Sequence, residues 1–355
     1  MGHRAYYDCK ITDLLCLSST FGYVGLVVGI VIGVFTWYSW QKNLKDSANT
    51  TLPPGSLGLS FIGETLEFVR AYKANKFMED FINPHVAKYG QVFKTHVLFS
   101  PLMFMGPPEG NKFLFSNENN LVQASWPSSI HKLLGRDIIM TKIGEEHKRG
   151  RQILSSFFGP IGLQSFVPRM HETNNNPFRT QISTLNPHCL QEVIKEQNKI
   201  AMEKVGDLLC WDDTRKMKYT WQVIQESMRI QPILTFATRE TLKEIEYGGF
   251  TIPKGWKLAW SGPRSHLSPQ FFPNPERFDP SHFEGIGPQP FTYLPFGGGP
   301  RICPGSEFAR IEMVVFLHHL VLNYEWSMID PFEKMTMKPF PTFQKGLQLR
   351  IHKKD

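Results

Sequence analysis

Phe296 to Gly305 reads Phe-Gly-Gly-Gly-Pro-Arg-Ile-Cys-Pro-Gly, which brings a thiol, a guanidinium and four glycines into ten residues. Three consecutive glycines let a backbone turn tightly and approach a flat surface closely. Cys303 lies two residues after Arg301 and just ahead of the nearly all-apolar run Phe308–Leu322, which predicts a buried helix. A thiol at a helix N-terminus beside a cation has its thiolate favoured by the dipole and by the charge. Such a thiolate ligates a metal or attacks as a nucleophile, and the pattern alone leaves both open. A phosphate loop is excluded, because no Gly-Lys-Ser/Thr follows, and Ile302 sits where G-x-G-x-x-G needs its third glycine. Two further pairs stand at helical spacing. Glu226 and Arg229 are three residues apart and share a helix face, an exposed ion pair being the default for such a pair alone. His147 and Arg151 are one turn apart, with a solvated surface histidine as the alternative for His147.

The elements that must carry these residues alternate between helix and strand. Glu64–Tyr89 reads as helix and Gln91–Met105 as strand, the latter rich in Val and Phe. Gly144–Phe158 reads as a basic amphipathic helix and Cys189–Val205 as a polar helix supported by charge pairs. Asp212–Ile230 reads as one helix capped by Asp212 or Asp213. Ile245–Trp260 reads as strands joined by turns at Gly248-Gly249 and Pro253-Lys-Gly. No internal repeat is present.

Composition bounds the class. The 355 residues carry 39 Lys plus Arg against 32 Asp plus Glu, a net charge of +7, with 41% hydrophobic and 20% charged residues. These values suit a globular protein and exclude a disordered or collagen-like chain. The 26 Pro and 28 Gly argue against a long coiled coil, and 28 Phe against 10 Tyr point to a greasy interior or pocket. The five cysteines (9, 16, 189, 210 and 303) form neither a disulfide framework nor a CxxC zinc site. No Lys/Arg-rich block suggests nucleic acid. Phe21–Trp40 is twenty residues without a charge, with Tyr23, Trp37, Tyr38 and Trp40 near its ends. At about 1.5 Å rise it spans about 30 Å, the thickness of a bilayer core. A transmembrane anchor is expected there. A buried core helix has the unbroken absence of charge against it, and a cleaved signal sequence has the length of the run against it. Flanking charge does not orient the span, and Asn49-Thr50-Thr51 is a glycosylation acceptor just beyond it. Pro53-Pro54-Gly55 then reads as a stiff elbow before the body.

Phe296–Gly305 resembles the heme-binding signature of cytochrome P450 monooxygenases, F-G-x-G-x-R-x-C-x-G, at every fixed position. The resemblance implies a mainly α fold with a small β portion, heme b as cofactor, and Cys303 as the proximal ligand of the iron. It also implies that Arg301 neutralises a propionate, that Phe296 packs beside the sulfur, and that Gly305 is among the heme-binding residues. Glu226-Ser-Met-Arg229 resembles the family's E-x-x-R pair, and Pro275-Glu-Arg277-Phe278 its P-E-R-F element. Glu226, Arg229 and Arg277 are thus expected to form a buried structural clamp. Gly144-Glu-Glu-His147-Lys-Arg-Gly-Arg151 resembles the propionate-contacting helix of the sterol- and isoprenoid-hydroxylating group. His147 and Arg151 are expected at the propionates, joined by Arg239, although Pro232-Ile233 stands where the group has Pro-Pro. Asn111–Asn117, Trp126–Ser129, Phe166–Arg169 and Ile252–Trp256 resemble plant triterpenoid oxidases, relatives of brassinosteroid and abscisic-acid hydroxylases. The implied partners are a large apolar isoprenoid substrate, the membrane, and an NADPH-dependent cytochrome P450 reductase. The implied location is the endoplasmic reticulum membrane, single-pass, with the body cytosolic.

One part of the family pattern is not found. The oxygen-activating helix of that family carries a small residue-Gly-x-acid-Thr-Thr/Ser motif, whose acid and Thr manage protons on the distal face of the heme. The Thr-Thr pair of this chain is Thr50-Thr51, in the linker, and residues 170–188 read MHETNNNPFRTQISTLNPH, polar and without helical periodicity. The expectation is an N-terminal tail (1–20), an anchor (21–40), a proline-rich linker (41–60), and a first body segment (61–172). A seam (173–187), where the helices from D to I are missing, and a heme-binding segment (188–355) complete it. No catalytic acid–Thr pair is assigned. The expected activity is monooxygenation of a triterpenoid or sterol-like substrate, impaired in this chain, the alternative being an inactive truncated isoform or pseudogene product that at most binds heme and membrane. The helix over Phe308–Leu322 is expected to lose a packing partner and expose a large apolar surface.

Overall fold

The computed structural model describes residues 25–31, 33–34, 51–59, 62–135, 137–172, 186–204, 208–338 and 340–354. Residues 25–31 and 33–34 are helical, with Leu26, Val27, Ile30, Val31 and Val34 exposed. The rest of Phe21–Trp40, the glycosylation acceptor Asn49 and residues 173–185 of the expected seam 173–187 lie outside the described residues. Among the described residues no helix is long and apolar enough to cross a membrane.

The elbow is pinned rather than free. Pro53 is buried, and the Lys94 amide donates to the Pro54 carbonyl at 2.8 Å. Gly55 has φ +144°, and a Cβ there would lie 2.0 Å from the Lys94 carbonyl oxygen, so only glycine lets the linker meet the strand.

Glu64–Tyr89 is not one helix. It divides into α1 (Thr65–Lys73), a π turn (Met78–Ile82) and α2 (Asn83–Tyr89), with the break at Asn75, φ +57°. Gln91–Met105 is a hairpin, β1 (Phe93–Val97) and β2 (Ser100–Phe104), turning at Leu98 and Phe99, both with positive φ. After α3 (Glu109–Ser116) come β3 (Val122–Ala124), α4 (Ser128–Leu134), α5 (Gly144–Phe158) and α6 (Pro160–Glu172). Beyond the seam run α7 (Pro187–Met202), α8 (Trp211–Lys216) and α9 (Lys218–Ile230). The single helix expected over Asp212–Ile230 breaks at Met217, and Asp213 serves as the third residue of a capping box whose cap is Cys210. Strands β4 (Ala237–Thr241), β5 (Ile245–Tyr247), β6 (Phe250–Ile252) and β7 (Lys257–Trp260) follow, with Gly248 and Gly249 both at positive φ in the β5–β6 turn. A short helix α10 (Gly262–His266) leads to the cysteine loop and α11 (Ser306–Asn323), and β8 (Tyr324–Met328), β9 (Met335–Met337), β10 (Pro341–Phe343) and β11 (Leu349–Lys353) close the chain as two-stranded ribbons.

Helices and a five-stranded sheet in the order β1-β2-β7-β4-β3 make up the body. β2 and β7 are parallel, and the other neighbours are antiparallel. The sheet therefore joins residues from both sides of the seam. Part of the abundant Phe forms an interior cluster. Phe68, Phe77, Phe81, Phe93 and Phe104 are all buried, with Phe236 against them, and Phe68 and Phe81 meet edge to face at 5.3 Å.

The helix expected over Phe308–Leu322 forms as α11 but does not lose its cover. Leu163 and Val167 of α6, Ile200 of α7 and Ile224 and Met228 of α9 share one core with Ile311, Val314, Phe316 and Leu317. Phe308 is flanked edge-on by Phe158 at 5.8 Å and Phe166 at 5.7 Å. The exposed apolar surface lies instead along α5 and its end, at Ile153, Phe157 and Ile161 (88% exposed). The correction has a simple cause: α6 offers its own apolar face to α11, so the unpartnered side moves one helix outward.

Candidate functional site

Cys303 sits on a loop built from Leu294 to Gly305. The Cys303 amide donates to the Phe296 carbonyl at 2.9 Å and closes the loop over a short 3-10 turn, Gly299–Arg301. Phe296 packs partly buried against the α11 core. Gly297 and Gly299 have φ +75° and +64°. The flat surface the glycines approach is Phe115, which meets Trp260 edge-on at 5.5 Å. A Cβ on Gly298 would lie 2.5 Å from the Phe115 ring. Gly305 caps α11, and a Cβ there would meet nothing within 4 Å, so the chain beside Cys303 borders open space. The Cys303 thiol is exposed.

Three guanidinium groups converge around this loop. Arg301 donates from Nε to Glu118 Oε1 at 3.0 Å and from Nη1 to the Lys142 carbonyl at 2.7 Å. Arg239, on β4, donates from Nε to the other oxygen of Glu118 at 2.5 Å. Arg151, on α5, donates from Nη1 to the Ile302 carbonyl at 2.7 Å. His147, one turn earlier on α5, is buried. Burial first, and then the charges of Arg301 and Arg151, hold its imidazole below the usual range, so it is neutral at neutral pH. Burial also draws the Arg301 guanidinium below its ordinary value, against the opposing pull of Glu118. The expected residues His147, Arg151, Arg239, Phe296, Arg301, Cys303 and Gly305 are thus brought to one region.

The clamp behind the loop is present with one member changed. Arg229 and Glu226 are fully buried and paired twice, Nε to Oε2 and Nη2 to Oε1, each at 2.7 Å. Arg229 Nη1 donates to the His266 carbonyl at 2.7 Å. Arg277 does not bring its guanidinium: its side chain is exposed, and it offers its carbonyl to Arg229 Nη2 at 3.2 Å. Glu226 is met instead by His282 Nδ1 at 3.2 Å and by the Asp279 amide at 2.8 Å. The reason is local. The 3-10 turn Pro280–Phe283 packs on α9 and turns His282 inward. A signal was available: Pro280-Ser-His282-Phe283 repeats the Pro-x-basic-Phe spacing of Pro275–Phe278 five residues later. His266 is a further tie the sequence did not announce. Its Nε2 accepts from the Leu294 amide at 2.8 Å, at the root of the loop, and burial with the Arg229 charge lowers it to about 3. Glu118 was also missed, since a lone acid between a helix and a strand carries no motif.

The cytochrome P450 family model matches residues 184–351. A beta-amyrin 28-monooxygenase of Saponaria officinalis is 32% identical over 452 residues, with 87% of this chain and 93% of that protein covered. One of Vitis vinifera is 30% identical over 92% of this chain and 97% of its own length. The chain belongs to the cytochrome P450 family. Within it the chain falls with the plant triterpenoid oxidases, it is a monooxygenase by class, and its cofactor is heme b. A protopanaxadiol 6-hydroxylase of Panax ginseng is 30% identical over 87% of the chain and 94% of its own length. A solved retinoic acid-bound cyanobacterial CYP120A1 superposes with a TM-score of 0.74 at 24% identity, over 86% of this chain and 100% of that one, which shows the fold.

The residues present fit heme on this side. Nη2 of Arg301 is buried and has no hydrogen-bond partner among the described residues. A buried charged donor without an acceptor is costly, and a carboxylate supplied by a bound group would satisfy it. The donor set, one exposed thiol and three guanidinium groups, matches an iron porphyrin whose ring bears two carboxylates.

Proposed function

We propose that this chain keeps the heme-holding half of a triterpenoid oxidase and has lost the segment that turns over substrate. Cys303 would hold the iron, and Arg151, Arg239 and Arg301 would hold the propionates, with neutral His147 as a hydrogen-bond donor beside them. The observation that carries this is the convergence of those guanidinium groups, one with a free buried N–H, beside an exposed thiol. Heme bound there supplies the chemistry of the class, insertion of one oxygen atom of dioxygen into a C–H bond with the other leaving as water. Glu226, Arg229 and His282 hold the loop from behind. The substrate would be a large apolar isoprenoid, in keeping with the beta-amyrin and protopanaxadiol named for the relatives. Electrons would come from an NADPH-dependent reductase at the endoplasmic reticulum membrane, with Phe21–Trp40 as the anchor and the body in the cytosol.

The loss of turnover rests on length and on sequence. The Saponaria alignment runs over 452 residues but takes in 87% of 355, about 309, so roughly 140 positions of the relative have no counterpart here. The small residue-Gly-x-acid-Thr-Thr/Ser motif that would relay protons on the distal side is absent from the sequence on either side of the seam. Expression of the full chain in membranes with a plant reductase tests both parts. A reduced, CO-bound spectrum with the thiolate Soret shift is expected, without oxidation of beta-amyrin. Product formation would refute the loss of turnover, and absence of any Soret band would refute the heme site.

A further inference from the structure

Glu118 takes no part in the proposed function as stated, yet its side chain is 1% exposed and stands between two of the site's guanidinium groups. Its two oxygens are divided: Oε2 accepts from Arg239 and Oε1 from Arg301, while Oε1 also accepts from the Ala124 amide at 3.1 Å. Each arginine is gripped by its Nε edge. Arg301 Nη1 is taken by the Lys142 carbonyl and Arg239 Nη1 by the Thr238 carbonyl at 3.0 Å. What is left on Arg301 is Nη2, buried and unsatisfied. The neighbouring residue extends the same device to the third cation. Asn119, held at φ +65°, accepts from the Gly144 amide through Oδ1 at 3.2 Å, at the first residue of the helix that bears His147 and Arg151. One short segment between α3 and β3 thus aims groups on β4, on the cysteine loop and on α5.

The charges agree with this role. Three guanidinium charges less the Glu118 carboxylate leave two positive charges, with His147 neutral. That balance matches a ligand with two carboxylates and no more. Without Glu118, two buried guanidinium groups would face each other with nothing between them, and like charges so placed move apart.

We infer that Glu118 is a positioning residue that holds Arg239 and Arg301 edge-on, so that their remaining N–H groups point to the two propionates of heme. This rests on the heme reading above. Glu118→Gln keeps the shape but offers one acceptor oxygen, and its amide N–H faces the second guanidinium donor to donor, so one arginine is released.

The test uses the full chain in detergent, titrated at the Soret band with hemin and with hemin dimethyl ester, whose propionates are blocked. In the wild type, hemin is expected to bind at least tenfold tighter than the ester. In Glu118→Gln, hemin affinity falls about tenfold and ester affinity stays within twofold. Equal losses for both porphyrins, or no loss for hemin, would overturn the assignment, because a residue that merely supports the fold does not distinguish a carboxylate from its ester. If Glu118→Gln fails to fold by circular dichroism, Glu118→Asp carries the same comparison, since it keeps the charge and withdraws it by one methylene. A severalfold loss confined to hemin supports the role and an equal loss overturns it. A wild type that binds both porphyrins equally keeps the heme reading and refutes the Glu118 role. A wild type that binds neither removes both.

Discussion

Replacing Arg229 by methionine should cost more than any other single change in the clamp. The side chain is 0% exposed and makes four hydrogen bonds, two to Glu226 and one each to the carbonyls of His266 and Arg277. Its guanidinium also lies over the Phe272 ring at 5.2 Å. Methionine fills most of the volume but leaves the Glu226 carboxylate buried without its cation and two carbonyls without donors. Breaking one side of a buried pair costs about 3–5 kcal/mol, a large part of a total stability of about 5–15 kcal/mol. His282 and the Asp279 amide stay on Glu226 and hold the loss toward the lower end of that range. Urea unfolding of the detergent-solubilised chain, followed by tryptophan fluorescence, gives the difference directly. A double variant, Glu226→Met with Arg229→Met, is expected to be less damaging than the two single losses added together, because no charge is then stranded. A loss below about 1 kcal/mol for Arg229→Met, or strict additivity in the pair, would show that the clamp is not a buried ion pair in solution.

Acid should destabilise the fold through His266. Its folded value is about 3 while an unfolded imidazole titrates near 6.5, so stability is full above about pH 6.5 and falls as pH drops toward 3, by about 3 kcal/mol at pH 4.5. Thermal melts of wild type and His266→Gln from pH 7 to pH 4.5 check this, and parallel slopes would contradict it. Gly298→Ala should destabilise by about 1–3 kcal/mol, since its Cβ would press on Phe115, which is pinned by Trp260. A lower urea midpoint is the readout, and an unchanged one would mean that the loop has slack. Cys303→Ser should shift stability by less than about 0.5 kcal/mol, because the thiol is exposed, while abolishing the thiolate Soret shift. A large stability loss would assign the thiol a packing role.

The parts of the site that follow from local chemistry were legible in the sequence. The glycine run, Cys303 and the Glu226–Arg229 spacing are short-range patterns, and each forms as its spacing demands. α5 keeps the bounds that its amphipathic pattern predicts, Gly144–Phe158. The errors lie where a tertiary contact decided between local equivalents. Two Pro-x-basic-Phe elements stand five residues apart, and only packing of the second against α9 selects His282 over Arg277. Met217 breaks a continuous helical pattern because the Glu196 carboxylate receives the amides of Tyr219 and Thr220 and starts a new helix there. Cover for α11 came from α6, whose apolar face is visible in sequence but whose target is not. Glu118 was invisible for the same reason: its meaning depends on Arg239 and Arg301, which lie 121 and 183 residues away.

The mixed sheet has a consequence for how the two parts of the chain stay together. β2 and β3 come from before residue 173, and β4 and β7 from after residue 185, yet all four are neighbours in one sheet. The ties from Glu118 to Arg301 and from Arg151 to Ile302 cross the same divide. Neither part of the chain has a complete sheet or core by itself, since each supplies strands and apolar faces that the other covers.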